Sequence, residues 1–245
     1  MSRLDEEYKM AAWRNEIIGA LMSARGCDEA FAAIALHAKE WGFDYCAYGG
    51  RLPLPICRPA FFLINNYPEE WQRVYRKSNY LRIDPTVQQG LRRATPILWS
   101  DLADTEHEFW AHAREFGLQH GWSQASHDAG GTVGMLTVAR EHEPIGASEL
   151  VNVEHRLKLL AHAAHSVMSG FALPAILPES ASTLSPRERE VLRWTAEGKT
   201  CYEIGMILGL TERTVNFHVN RAVCKLDASN KTHATVKAAL LGILS

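Results

Sequence analysis

The sequence predicts an α+β fold. An N-terminal antiparallel sheet is sandwiched between helices (α-β-α) over residues 1–172, and a C-terminal all-α domain of four helices follows over 184–245. Three observations carry this. Helical and alternating apolar periods take turns through the first two thirds of the chain, joined by hairpin-type links. Leu173-Pro174, Leu177-Pro178 and the small-polar run Ser180 to Thr183 then break the pattern, so 173–183 reads as a linker. Beyond the linker only short helical segments follow, with capping residues at their starts and glycines near their ends.

Taken in order, Met10 to Ser23 sets Trp13, Ile17 and Leu21 on one helical stripe, and Glu29 to Trp41 does the same with Ala30, Ala33, Ile34, Leu36 and Ala38. Phe43 to Gly49 and Ala60 to Ile64 read as strands, separated by a loop holding Pro53, Pro55 and Pro59. Pro68 to Lys77 is a helix with proline where a first-turn residue is tolerated. Asp84-Pro85 opens a short helix, aspartate as N-cap. Thr105 to Phe116 is helical and closes at Gly117. Strands at Trp122 to His127 and Thr132 to Ala139 flank an Asp128-Ala129-Gly130-Gly131 turn, and a long helix runs from Ala147 to Met168.

After the linker, Ser185-Pro186-Arg187-Glu188 is a helix start with a capping box, and Gly198 ends that helix after Ala196. Cys201 to Leu208 is a second helix, Gly209 the turn, and Thr211 the cap of a third. Val215, Val219, Ala222 and Leu226 form the inward stripe of the third helix; Arg213, Phe217, Asn220 and Cys224 lie opposite, flanked by Asn216 and Arg221. A polar stripe of this kind is most often a solvated face. Helix, glycine turn, second helix and basic flanks together instead describe a helix-turn-helix, whose Asn and Arg side chains suit purine edges.

The run from Leu184 to Leu226 resembles the C-terminal domain of LuxR-type regulators at Glu188, Leu192, Gly198, Ile204, Thr214, Val215, His218, Lys225 and Leu226. The resemblance implies a four-helix DNA-binding domain. Its third helix would enter the major groove, and its fourth, about Thr232 to Leu244, would pair two protomers into a homodimer on double-stranded DNA. By position, Asn216 and Asn220 would read bases, with Arg213 and Arg221 as candidates nearby. Lys199, Thr214, His218 and Lys225 would contact phosphate.

Charge is distributed accordingly. The 62 residues from Leu184 carry nine Lys/Arg against six Asp/Glu, whereas the 183 before them carry 17 against 22. Only the tail is suited to a polyanion. No window approaches the ~18 apolar residues of a membrane span, and the acidic start, Met1 to Lys9, lacks a signal-peptide layout. A cytoplasmic location and no membrane partner are expected. Five cysteines without CxxC spacing argue against disulfides and zinc.

The first 172 residues show no phospho-receiver order. They contain Tyr67-x3-Trp71-x3-Tyr75-x8-Asp84-Pro85, then Trp99 and Gly121, a spacing similar to the acyl-homoserine-lactone-binding domain of quorum-sensing LuxR-type proteins. Trp and Tyr combine an apolar body with a hydrogen-bonding tip, which suits an acyl chain bearing a polar head. The resemblance implies an N-acyl-homoserine lactone as effector, with no cofactor. Trp71 would donate to the lactone carbonyl, Tyr67 to the amide carbonyl, and Asp84 would accept from the amide N–H. Tyr75 and Trp99 would wall the acyl chain and lactone ring, Phe109, Trp110 and Ala113 would lie near the head group, and Ser123 would reach an acyl substituent or the amide region. Taken singly, each aromatic also reads as core, Asp84 as a plain N-cap, and Gly121 as an easy strand entry.

The strand Trp122-Ser123-Gln124-Ala125-Ser126-His127 departs from the more apolar, proline-containing stretch of many members and resembles that of some β-proteobacterial acyl-lactone receptors. Two effects on ligand choice stay open: Trp122 reshaping the acyl tunnel, or Gln124 adding a polar contact. Alternation sets Ser123 and Ala125 on one face and those two on the other. An enzyme is not indicated: there is no GxSxG elbow, HExxH or phosphate-cradling Gly-Lys loop. His162 and His165, three apart on a helix, lack an acidic or cysteine partner for a metal site and read as structural.

Overall fold

The computed structural model describes residues 3–172 and 184–244, so the linker expected at 173–183 lies outside the described residues. Two units are described in turn.

The first begins with α1 (Arg3–Ser23) and α2 (Cys27–Glu40), then β1 (Tyr45–Arg51) and β2 (Phe61–Asn65). Next come α3 (Glu69–Lys77), a 3-10 turn at Tyr80–Arg82, α4 (Pro85–Gly90), β3 (Ile97–Leu98) and a 3-10 turn at Trp99–Leu102. Then follow α5 (His107–Glu115), β4 (His120–His127), β5 (Val133–Arg140) and α6 (Ala147–Ala172). The strands form one antiparallel sheet ordered β2-β1-β5-β4-β3. β3 is two residues long, too short for an alternating apolar signal.

Each face of the sheet buries its own core. On one, Ile17, Leu21 and Ile34 from α1 and α2 and Leu157, Leu160 and Met168 from α6 pack on Tyr48, Trp122, Leu136 and Val138. On the other, Trp71, Tyr80, Trp99, Phe109, Trp110 and Ala113 gather around Ile97, Leu118 and Ala139. This is the expected α-β-α sandwich. Leu36 departs from its expected stripe and is 58% exposed, because at ~100° per residue it falls roughly 200° from Ile34. His165 and His162 are tied through Nδ1 to the Tyr48 hydroxyl (2.9 Å) and Ser126 Oγ (3.1 Å), which occupies each as a bond between sheet and helix.

The second unit is helical: α7 (Pro186–Ala196), α8 (Cys201–Leu208), α9 (Glu212–Lys225) and α10 (Lys231–Leu240). The Ser185/Glu188 capping box forms, and Thr200/Glu203 makes a second at α8. Gly209 turns the chain at φ 66°, and Thr211 caps α9 by accepting from Thr214 N. Gly205 lets the turn close: a Cβ there would stand 2.7 Å from the Leu210 carbonyl oxygen. Val191, Ile204, Val215 and Val219 form one core cluster; Leu184, Leu192, Ala222, Leu226, Ala234 and Ala238 form another. α8, glycine turn and α9 thus make the helix-turn-helix.

Candidate ligand pocket and nucleic-acid interface

A cavity of about 470 Å³ lies in the first unit between the sheet and the layer of α3, α4 and α5. Local rules aim side chains into it. Asn65 Oδ1 accepts from Tyr67 N (3.0 Å), turning the chain so that Pro68 starts α3. Trp71 and Tyr75, one turn apart, then present the same face with ring centroids 5.7 Å apart. Asp84 caps α4 and so places its carboxylate at the same wall.

Tyr67, Trp71, Tyr75, Asp84, Trp99, Phe109, Trp110 and Ala113 all line this cavity. Ser123 does not. It stands behind Trp99, accepting from the indole Nε1 (3.0 Å) and bonded to Thr137 Oγ1 (3.0 Å), and it is Thr137 that reaches the lining. Gly121 completes this wall, since a Cβ there would meet the Trp99 indole at 2.5 Å. Trp122 packs in the opposite core, and neither it nor Gln124 lines the cavity.

The polar groups divide by what they already hold. Trp110 Nε1 donates to the Leu102 carbonyl (2.9 Å), Trp99 Nε1 to Ser123, and the Tyr75 hydroxyl to Asp84 Oδ2 (2.9 Å). Asp84 Oδ1 accepts from Thr86 N (2.9 Å) and Thr86 Oγ1 (2.7 Å). One carboxylate oxygen therefore caps the helix, and the other turns to Tyr75 and the cavity. The Trp71 indole N–H and the Tyr67 hydroxyl donate to no other described residue. Burial pushes the Tyr67 phenol well above its ordinary value, so it stays a neutral donor. Burial also raises the Asp84 pKa, against the pull of its Thr86 and Tyr75 hydrogen bonds.

Residue-by-residue reading of the sequence missed two parts of the site. Tyr80, 3% exposed, backs the lining: its ring lies tilted against Trp71 (5.8 Å), meets Phe109 edge-on (5.4 Å), and its hydroxyl is tied to His112 Nδ1. It lies outside the i, i+4 run because Asn79, at φ 53°, turns the chain back. Ala47, Gly49 and Gly90 line the cavity directly. Their signal is small size on the cavity side, visible only once the register is known.

In the second unit, Arg213, Asn216, Phe217, Asn220, Arg221 and Cys224 are all exposed along α9. The Thr214 hydroxyl is bonded to Thr211 Oγ1 (2.8 Å), His218 is half-buried with Nδ1 unpartnered among the described residues, and Lys199 is half-buried. Lys225 is placed differently: its ammonium donates to Glu188 Oε2 at 2.8 Å. Glu188 is 2% exposed. Burial alone raises its pKa, but bonds from Lys225 and Ser185 outweigh that and hold it below the usual carboxylate range.

Two family models match the chain: "Autoinducer binding domain" over residues 27–168 and "Bacterial regulatory proteins, luxR family" over 182–238. The transcriptional activator protein SolR of Ralstonia nicotianae is 46% identical over 215 residues, covering 87% of this chain and 91% of SolR. The quorum-sensing regulator RhlR of Pseudomonas aeruginosa is 36% identical, covering 87% and 89%. Among solved structures, Escherichia coli SdiA superposes with a TM-score of 0.83 at 32% identity, over 96% of this chain and 99% of that one. SdiA has also been solved in complex with octanoyl-rac-glycerol, with a TM-score of 0.82 at 32% identity, over 96% of both chains.

Proposed function

The chain belongs to the LuxR family of quorum-sensing transcriptional regulators, joining an autoinducer-binding domain to a DNA-binding helix-turn-helix, and we propose that its effector is an N-acyl-homoserine lactone held by Trp71, Tyr67 and Asp84. Members of this family are regulators, not enzymes. One observation carries the ligand reading: in a wall where Trp99, Trp110 and Tyr75 have their donors committed, Trp71 and Tyr67 keep two donors open beside one buried carboxylate. An acyl lactone presents two carbonyls and one N–H, which is the complement. Tyr75, Trp99, Phe109, Trp110 and Ala113 enclose the rest, and Ser123 acts by holding Trp99.

The ligand fills a hollow in the core and binds only the folded state, so it stabilises by mass action. The protein then acts in the cytoplasm as a homodimer paired through α10, reading a pseudo-palindromic site. Asn216 and Asn220 read bases with Arg213 and Arg221 beside them, while Lys199, Thr214 and His218 contact phosphate. A thermal-shift series over acyl lactones of increasing chain length, with octanoyl-glycerol alongside, tests the effector class. A rise in melting temperature with lactones that Asp84→Ala abolishes supports it; a larger shift with the glycerol ester, or one indifferent to Asp84→Ala, overturns it.

A further inference from the structure

Phe217 is an apolar group at the crest of a polar face. At ~100° per residue it lies across the helix from Val215, Val219, Ala222 and Leu226, between Asn220 and Arg221. It is 55% exposed. The Arg221 guanidinium lies 5.7 Å from the ring centroid, with Arg221 Nε also 3.6 Å from Glu188 Oε1. The His218 ring meets it edge-on at 5.6 Å. The ring is therefore braced from the side by a cation drawn to its face, and its outward surface stays open.

That surface is continuous with the DNA-reading face. A base-pair edge in the major groove offers donors, acceptors and a single apolar group, the 5-methyl of thymine. Asn and Arg side chains match the donors and acceptors. A phenyl ring matches neither, and against a polar edge it would strip water without replacing its hydrogen bonds.

We propose that Phe217 is a specificity-determining residue that reads a thymine methyl in each half-site, its ring held in place by Arg221. The proposal rests on the assignment of α9 as the base-reading helix and adds the one contact there that is not a hydrogen bond.

The test uses the full-length protein, with and without N-octanoyl-homoserine lactone, to select from a random duplex library. Each thymine of the selected motif is then replaced singly by uracil, which keeps every pairing group and deletes only the methyl. Wild type is expected to bind about fourfold more weakly at one position per half-site, the factor equivalent to ~0.8 kcal/mol for one buried carbon. Phe217→Ala should bind the thymine and uracil duplexes alike, and Phe217→Leu should keep part of the difference. Both variants should unfold at the wild-type temperature, since the ring is outside both cores of the domain. If no uracil substitution weakens wild type, or Phe217→Ala still tells the two duplexes apart, the proposal falls while a motif dependent on Asn220 stands. If no motif is selected in either condition, base reading by α9 falls and takes this inference with it. A Phe217→Ala protein with unchanged DNA affinity but lost promoter activation would assign the ring to a protein partner and overturn the proposal.

Discussion

The Tyr75 hydroxyl donates to Asp84 Oδ2 at 2.9 Å, while the other oxygen of the same carboxylate caps α4. The plain N-cap reading of Asp84 and the ligand-acceptor reading are therefore served by different atoms of one side chain. Tyr75→Phe keeps the wall and removes this bond. With an identified acyl lactone, affinity should drop about tenfold, in keeping with ~1.5 kcal/mol for a hydrogen bond to a charged group. Calorimetric titration of the two proteins checks this; equal affinities would mean that Tyr75 acts through shape alone.

Asp84 also gives the pocket a pH dependence whose sign follows from its environment. Burial raises its folded pKa above the unfolded value. In the empty protein, its contribution to stability is greatest below the unfolded pKa and is lost as pH rises through the folded one. A ligand N–H donated to the carboxylate reverses the preference by favouring the ionised form. Lactone affinity should therefore rise with pH through the raised value and level off above it. The ligand-induced melting shift should be smaller at mildly acidic pH than at neutrality, and Asp84→Asn should flatten the difference.

Trp99 lies flat on Gly121 and hangs from Ser123. Ser123→Ala leaves the indole N–H buried without a partner, at about 1–3 kcal/mol, and lets the ring shift. Gly121→Ala is the harsher change, because its Cβ at 2.5 Å from the indole forces the ring into the cavity. Both proteins should lose ligand-induced stabilisation, Gly121→Ala more completely, while Ser123→Thr should keep most of it. Thermal-shift titration ranks the three, and a Gly121→Ala protein that responds normally would remove Trp99 from the ligand wall.

These residues show what the sequence alone can carry. Trp71 and Tyr75 were legible because one helical turn separates them, and the faces of β4 because alternation sets Ser123 against Trp122. The alternation also gave Ser123 its correct side but not its depth: whether it touches ligand depends on the Trp99 ring, which arrives from a 3-10 turn with no periodic signature. Tyr80, beyond the αL residue Asn79, and the small lining residues Ala47, Gly49 and Gly90 were illegible for the same reason. Their roles come from tertiary register, and a cavity is recorded in a sequence only as side chains that are small.

Lys199 and Lys225 are equivalent by position, as two basic residues suited to phosphate, yet the structure ties Lys225 to the buried Glu188. Lys225 bonds a carboxylate that is 2% exposed, and its side chain is itself 21% exposed. Removing it leaves the Glu188 charge to the longer Arg221 contact at 3.6 Å and the Ser185 N–H, so Lys225→Ala should destabilise the C-terminal domain by roughly 2 kcal/mol, short of the cost of a fully stranded buried charge. The loss should persist without DNA. Glu188 has a depressed pKa, so its stabilising contribution is present above the unfolded value and fades as pH falls through the folded one. Lys225→Ala should accordingly unfold earlier than wild type at neutral pH and converge with it in acid. Lys199→Ala should leave unfolding unchanged and lower the slope of log affinity against log salt by about 1, uniformly across sequences. Chemical unfolding and salt-dependent DNA titration of both variants separate the roles, and a reduced salt slope in a stably folded Lys225→Ala protein would return that lysine to the phosphate contacts.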